Sequence, residues 1–414
     1  MTAEIVIMNK RGLSLAADSA ITSGEDGVRK VYNSANKLFS LSKNHPVGIM
    51  VYGSASFMEV PWEIIIKSFS DELRDEKFMN LTDYMNHFLE FIKEEKKYNH
   101  QEVEEIIVYR LFFDSLKEIV KEVEETMKEN EEKGMQIDDR NIADWIYDCV
   151  KRKVTYYKET KALIELEFES FKRQFHHIID EICKEIIPIE TVEELLQELY
   201  KLAFEVVKRD YFSNGSSGFV MAGYGEKEIF PHLLNYRLEG FVFGQLKYKK
   251  IEEKIISYTS DQDNGTASIS AFGQKEMINS FIYGIEPNME DAMFGILDKV
   301  LKNYHDQMQY LLNISLTKEQ VTALEKMGNT IYESIEDAVE EYKENNYMQP
   351  LLEIVRSLPV RELAEMTETL INLTSFKRRV TRVTESVGPP IDVAVITKGE
   401  GFVWVKRKQV VEQK

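Results

Sequence analysis

Residues 2–24 read TAEIVIMNKRGLSLAADSAITSG, and the fold turns on how this stretch is parsed. Two short apolar segments, 3–9 and 12–18, flank Lys10-Arg11, a connection tight enough for a β-hairpin. Two further runs follow, 36–41 (NKLFSL) and 47–53 (VGIMVYG). The second is almost continuously apolar, as a strand buried on both faces is. The spacing predicts four strands before residue 54, paired in one sheet.

From about Glu59 to Arg209 the period changes to that of a helix. Val103, Ile106, Ile107, Leu111, Leu116, Ile119, Val120 and Val123 recur at steps of three and four, with Glu and Lys between them. Phe168, Phe171, Phe175, Ile178, Ile182 and Ile186 repeat the signature, and Pro188 is expected to stop that helix. Thr191 with Glu194 offers a capping box for the next. Runs such as EVEETMKENEEK read as solvated helix faces and a turn.

Asn214-Gly215-Ser216-Ser217-Gly218 ends the helices. Strands are expected at 219–224, 240–248, 254–259 and 266–272, then helices from Gln274 to about Lys377 with breaks near Pro350 and Pro359. A hairpin, 391–397 and 402–406, closes the chain. Blocks of strands alternating with blocks of helices predict an α+β layered sandwich, not a doubly wound sheet with one helix per strand. There is no internal repeat and no phosphate-binding glycine-rich loop.

Composition narrows the function. A formal net charge of −19 argues against nucleic acid, which needs a basic face to replace counterions. Lys377-Arg378-Arg379, a short basic run, suits a helix end. The longest apolar region, Pro46 to Ile66, contains Glu59 and Glu63, and each central carboxylate in a membrane costs about 3 kcal/mol, so no membrane span is expected. Glu4 within the first apolar segment argues against a signal peptide, and a cytosolic protein is expected. Cys149 and Cys183 read as buried free thiols. No Cys/His cluster has metal-ligand spacing, His176-His177 reads as surface or packing, and no metal or other cofactor is expected.

Thr2 follows Met1, and its small side chain predicts removal of that methionine. An α-amine then shares a residue with a hydroxyl. At a pKa of about 7.7–8 the amine is partly neutral near pH 7 and can take the hydroxyl proton. The stretch from Thr2 to Gly24 resembles the start of mature proteasome β-subunits and of the related bacterial ring peptidase, within the N-terminal nucleophile (Ntn) hydrolase superfamily. Ala17-Asp18-Ser19 resembles the motif ending the family's second strand, and Asp18 stands sixteen positions after Thr2, the family spacing. Lys37 in NKLFSL matches the lysine before a short apolar strand, and Gly53 in VYGSAS matches the glycine whose amide forms the oxyanion hole. Taken singly, Asp18 reads as a strand terminator, Lys37 as a surface lysine and Gly53 as a turn residue. Their joint occurrence in order carries the resemblance.

What the resemblance implies is a four-layer αββα Ntn-hydrolase sandwich with two large helical insertions. The core comprises residues 1–58, 213–287 and a C-terminal hairpin at 379–414; the helical blocks are 59–212 and 288–378. Thr2 is the nucleophile, Asp18 holds Lys37, and Lys37 favours the neutral amine and the developing alkoxide. The Gly53 amide receives the oxyanion. Thr22 and Ala55 pair the substrate as an added strand, and Ile21, Val51 and Ala55 line an apolar pocket. At the family's Gly-Ser-Gly corner this chain has Ala271-Phe272-Gly273, so Phe272 replaces the assisting serine and Ser270 sits two positions earlier. Near the end, Glu385 and Ser386 take the place of the usual Asp and Ser.

The function this implies is a threonine-type peptidase or amidohydrolase acting on peptides or proteins. A homo-oligomer, with a ring among the arrangements, and a separate ATP-driven unfoldase go with the resemblance. The rival readings are an inert proteasome-like assembly protein, favoured by Phe272, and a small-molecule amidohydrolase using the same nucleophile.

Overall fold

The computed structural model describes all residues except Met1, 24–29, 33–34, 95–99, 133, 188, 190–191, 260–264, 382–386 and 409–414. The chain divides into two units, one of Met1–Leu38 with Ile255–Lys414, the other of Phe39–Lys254.

The chain opens with β1 (Ala3–Asn9) and β2 (Gly12–Ala17), antiparallel and in register from Glu4 opposite Ala17 to Asn9 opposite Gly12. The expected hairpin forms around Lys10-Arg11. Its turn is tied down by Asn9, whose side chain donates to the Val355 and Leu358 carbonyls, both at 2.8 Å. A small ribbon, β3 (Ile21–Ser23) with β4 (Lys30–Tyr32), was not foreseen.

The second unit takes up β5 (Leu38–Ser42), β6 (His45–Gly53), the short pair β7 (Ser56–Phe57) and β8 (Val60–Pro61), and six helices. These are α1 (Trp62–Leu73), α2 (Leu81–Glu94), α3 (Gln101–Glu132), α4 (Asp139–Glu159), α5 (Phe168–Ile186) and α6 (Glu193–Lys208). Apolar spacing buries Leu111, Leu116 and Ile119 of α3 and Phe171, Phe175 and Ile182 of α5 in one core, and each such side chain contributes about 1.5–3 kcal/mol. Helix α6 has Val192 at its N-cap; Thr191, of the capping box expected with Glu194, and Pro188 lie outside the described residues.

Three strands follow: β9 (Ser217–Gly223), β10 (His232–Val242) and β11 (Gln245–Ile255). They complete a sheet ordered β11-β10-β9-β6-β5, in which β9 runs antiparallel to both β6 and β10. The expected strands at 240–248 and 254–259 are thus corrected to one long hairpin reversing at Phe243-Gly244, both with positive φ (51° and 68°). The charged run KYKKIEEK hid β11. It lies at the sheet edge, where charge discourages pairing with another chain.

The first unit resumes with β12 (Ala267–Gly273), α7 (Glu276–Tyr283), α8 (Pro287–Leu312) and α9 (Lys318–Lys343). A π-helical turn (Glu344–Met348) joins α9 to α10 (Gln349–Ser357). Pro350 therefore does not break the helix as expected. It sits in the first turn of α10, where its missing N–H is tolerated, while Pro359 does precede a fresh start. That start is α11 (Val360–Val380), followed by β13 (Asp392–Thr397) and β14 (Gly401–Lys406). The sheet order is β12-β1-β2-β13-β14. The four early strands therefore enter two sheets instead of the single one expected. Alternation marks a segment as a strand but does not name its partner.

Within the first unit, Ala3, Ile5 and Ile7 of β1 and Val393 of β13 pack with Leu363, Leu370 and Ile371 of α11. The strand period then places Val6, Met8, Leu13, Leu15 and Ile396, all buried, on the opposite face. This architecture is α+β with antiparallel sheets. Among the described residues, no helix is long and apolar enough to cross a membrane.

Candidate active site

The head of β1 carries the candidate site. Thr2 is buried, and its carbonyl accepts a hydrogen bond from the Gln274 N–H at 2.6 Å, which extends the β1–β12 ladder past Ala3. The β1–β2 hairpin returns the chain so that Asp18 follows directly on Ala17. The Asp18 N–H donates to the Ala3 carbonyl at 3.2 Å, and the Ala3 N–H donates to Asp18 Oδ1 at 2.9 Å. The carboxylate is thereby clamped one peptide from Thr2.

Lys37 closes the arrangement. Its Nζ donates to Asp18 Oδ1 at 2.8 Å and also to the Ala20 carbonyl, with both partners of the ion pair buried. The Ala20 and Gly388 N–H groups donate to Asp18 Oδ2 at 3.0 and 3.2 Å. Among the described residues, Asp18 thus accepts four hydrogen bonds, two at each oxygen. Burial pushes the Lys37 ammonium below its ordinary pKa, while Asp18 and Glu4 pull it back up and Lys408 adds to the lowering.

Two features of the site had escaped the sequence reading. Glu4, two positions after Thr2, is fully buried, and among the described residues neither carboxyl oxygen has a hydrogen-bond partner. Its burial pushes the carboxyl well above the usual range; Lys37 opposes this and Asp18 adds to it. The signal was present, since an acid inside an otherwise apolar strand needs a reason. A second buried ion pair joins Lys408 Nζ to Asp392 Oδ2 at 2.5 Å, and the same ammonium donates to Ser19 Oγ at 3.0 Å and the Ala35 carbonyl at 2.7 Å. It braces the segment between Asp18 and Lys37.

Ser270 pairs with Val6 on β12, four strand positions from Thr2, or on the order of 13 Å along the sheet. Phe272 stands opposite Glu4 and Gly273 opposite Ala3. Any side chain at Gly273, with φ +68°, would put its Cβ 2.0 Å from the Thr2 carbonyl oxygen. Ile21 and Thr22 lie on β3 of the first unit. Gly53, Val51 and Ala55 belong to the second unit, at or after the end of β6. Gly53 has φ +82°, and a Cβ there would sit 2.5 Å from the Ser216 carbonyl, so its backbone alone demands glycine. Glu385 and Ser386 lie outside the described residues.

No family model matches the chain, and no curated protein matches it either. Among solved structures, the chain is similar to Anbu from Hyphomicrobium sp. strain MC1, as the Gly-1 mutant and in a second structure. Identity is 9% for both, with TM-scores of 0.30 and 0.29; the alignments cover 100% and 99% of this chain and 88% of each Anbu chain. A likeness this slight establishes neither a common fold nor a common activity.

Proposed function

We propose that the chain is an Ntn hydrolase of the proteasome β-subunit type, cleaving peptide or amide bonds through an acyl-enzyme on Thr2 once the Thr2 amine is free. The observation that carries this reading is the buried Lys37–Asp18 pair held to the Ala3 N–H beside Thr2. Burying two charges is costly, and a strand end has no structural need of them.

On this reading, Thr2 Oγ attacks the substrate carbonyl carbon while its proton passes to the α-amine, directly or through a water. The carbonyl electron pair moves onto oxygen. The proton then goes to the leaving nitrogen as the C–N bond breaks, and water hydrolyses the resulting ester. Lys37 favours the neutral amine and the forming alkoxide, and Asp18 positions Lys37.

Other parts of the proposal rest on the sequence resemblance alone. These are the Gly53 oxyanion amide, substrate pairing by Thr22 and Ala55, the pocket of Ile21, Val51 and Ala55, and auxiliary roles for Ser270, Glu385 and Ser386. The four-layer sandwich with insertions at 59–212 and 288–378, a homo-oligomer and an unfoldase partner have the same footing; a cytoplasmic location rests instead on the charged and acidic residues that argue against a membrane span and a signal peptide. One feature of the resemblance favours the inert assembly reading: Phe272 stands where the family has its assisting serine.

Intact mass after treatment with a β-lactone or epoxyketone separates the two. The enzyme reading expects one adduct, mapped to Thr2 and absent from Thr2→Ala. A chain with Thr2 first that never reacts supports the inert reading.

A further inference from the structure

Glu4 is the buried group that the mechanism above leaves without a task. It is fully buried on β1, and among the described residues neither of its oxygens has a hydrogen-bond partner. Buried polar groups are nearly always paired, so an orphaned carboxyl calls for a partner that arrives in another state of the protein. The ladder extension through the Thr2 carbonyl keeps strand alternation intact, so Thr2 and Glu4 share a face two positions, or about 6.6 Å of rise, apart. Freeing Thr2 creates one new cation at this place, the α-ammonium.

Asp18 is poorly suited to receive it, because its two oxygens already accept from Ala3, Lys37, Ala20 and Gly388. Asp392, opposite Ala17 on the next strand but one, is closed by Lys408. Phe272, beside Glu4 in register, has no carboxylate or hydroxyl to offer. We propose that Glu4 is the acceptor for the freed Thr2 α-amine, a positioning residue that holds the ammonium formed when the Thr2 hydroxyl gives up its proton. The role rests on the reading of Thr2 as nucleophile, although the pairing itself does not.

The proton balance is simple. With Glu4 ionised and the amine neutral, attack by Oγ moves the hydroxyl proton to the amine nitrogen, and the ammonium pairs with the Glu4 carboxylate. Collapse of the tetrahedral adduct sends that proton to the leaving nitrogen and restores the neutral amine. The amine and Glu4 titrate as a pair, with Lys37 and Asp18 as the other charges acting on Glu4. Its elevated carboxyl range, caused by burial, brings it toward the range of an α-amine.

The test uses full-length chain released from a ubiquitin fusion so that Thr2 is first, as wild type, Glu4→Gln and Glu4→Asp. Reductive methylation of the Thr2 amine, followed by mass across pH, reads the amine without requiring catalysis. A carboxylate partner should hold the amine's midpoint about one pH unit higher in wild type than in Glu4→Gln, with Glu4→Asp restoring part of the shift. Equal midpoints overturn the proposal. In parallel, the β-lactone acylation rate in Glu4→Gln should lose about tenfold at its plateau, with its acid limb moved down by a similar unit. If midpoints differ but wild type is never acylated, the pairing stands and the nucleophile reading fails. If acylation is normal and midpoints coincide, the nucleophile reading stands and Glu4 has no such role.

Discussion

Two hairpins of the first unit contrast sharply. In the β1–β2 hairpin every strand residue is buried, including Glu4, Asn9 and Ser14. In the α8–α9 hairpin, α8 has no buried residue, and Met289, Met293, Ile296 and Val300 are each more than half exposed. The strand hairpin spends burial on polar groups and ties each to a partner, Glu4 excepted. Asn9 caps α10, Ser14 Oγ lies 2.8 Å from Thr367 Oγ1, and Asp18 holds Lys37. The helical hairpin is held by its own caps and a few contacts, such as Tyr304 Oη donating to the Leu324 carbonyl. The strand hairpin carries a cluster of buried charges beside Thr2, where a catalytic reading needs them; elsewhere α9 buries Lys343 against Glu290, and the second unit buries Lys247 and Glu239.

The contrast predicts a graded response to substitution. Asp18→Ala should have the largest effect. It strands Lys37 in a buried site and removes the acceptor for three N–H groups, so urea unfolding should show a loss of about 3–5 kcal/mol. A loss below 1 kcal/mol would mean that the pair is solvated and would break the contrast.

Glu4→Gln should act in the opposite direction and with pH. Folding raises the Glu4 pKa, so its neutral form is favoured in the fold. The stability this gives is full below the unfolded value of about 4.3 and is lost as pH rises through the folded value. Glutamine cannot ionise, so in chains retaining Met1 the variant should gain on wild type between pH 4 and pH 7 in parallel melts. Once Thr2 is freed, pairing of Glu4 with the amine should erase much of that gain. Met293→Ser on α8 should change stability least, within about 0.5 kcal/mol by denaturant titration. A larger loss would show that the exposed apolar row is covered in solution.

The comparison also explains what was legible in the sequence. The strand period and the Lys10-Arg11 connection gave the first hairpin, and the sixteen-residue step from Thr2 to Asp18 is what the register realises: Ala17 opposite Glu4 puts Asp18 beside Ala3. Lys37 was legible only through resemblance, because nothing local marks a lysine that reaches back nineteen positions to its acid. The helical period located α3 and α5 but equally α8, whose apolar row is exposed; period fixes which residues share a face, not what covers it. The Asp392–Lys408 pair was missed because burial of a charge depends on partners distant in sequence, whereas Glu4 was marked locally, as an acid inside an apolar strand. The sorting of early strands into two sheets is likewise a matter of partners that periodicity does not encode.

The central claim is that the buried Lys37–Asp18 device activates Thr2, and the rate of Thr2 acylation in Lys37→Met tests it most directly. With Thr2 first and folding matched by melting temperature, the account predicts a β-lactone acylation rate about a hundredfold or more below wild type. A rate within twofold of wild type would contradict it, and would leave the pair as a structural clasp at the head of a strand.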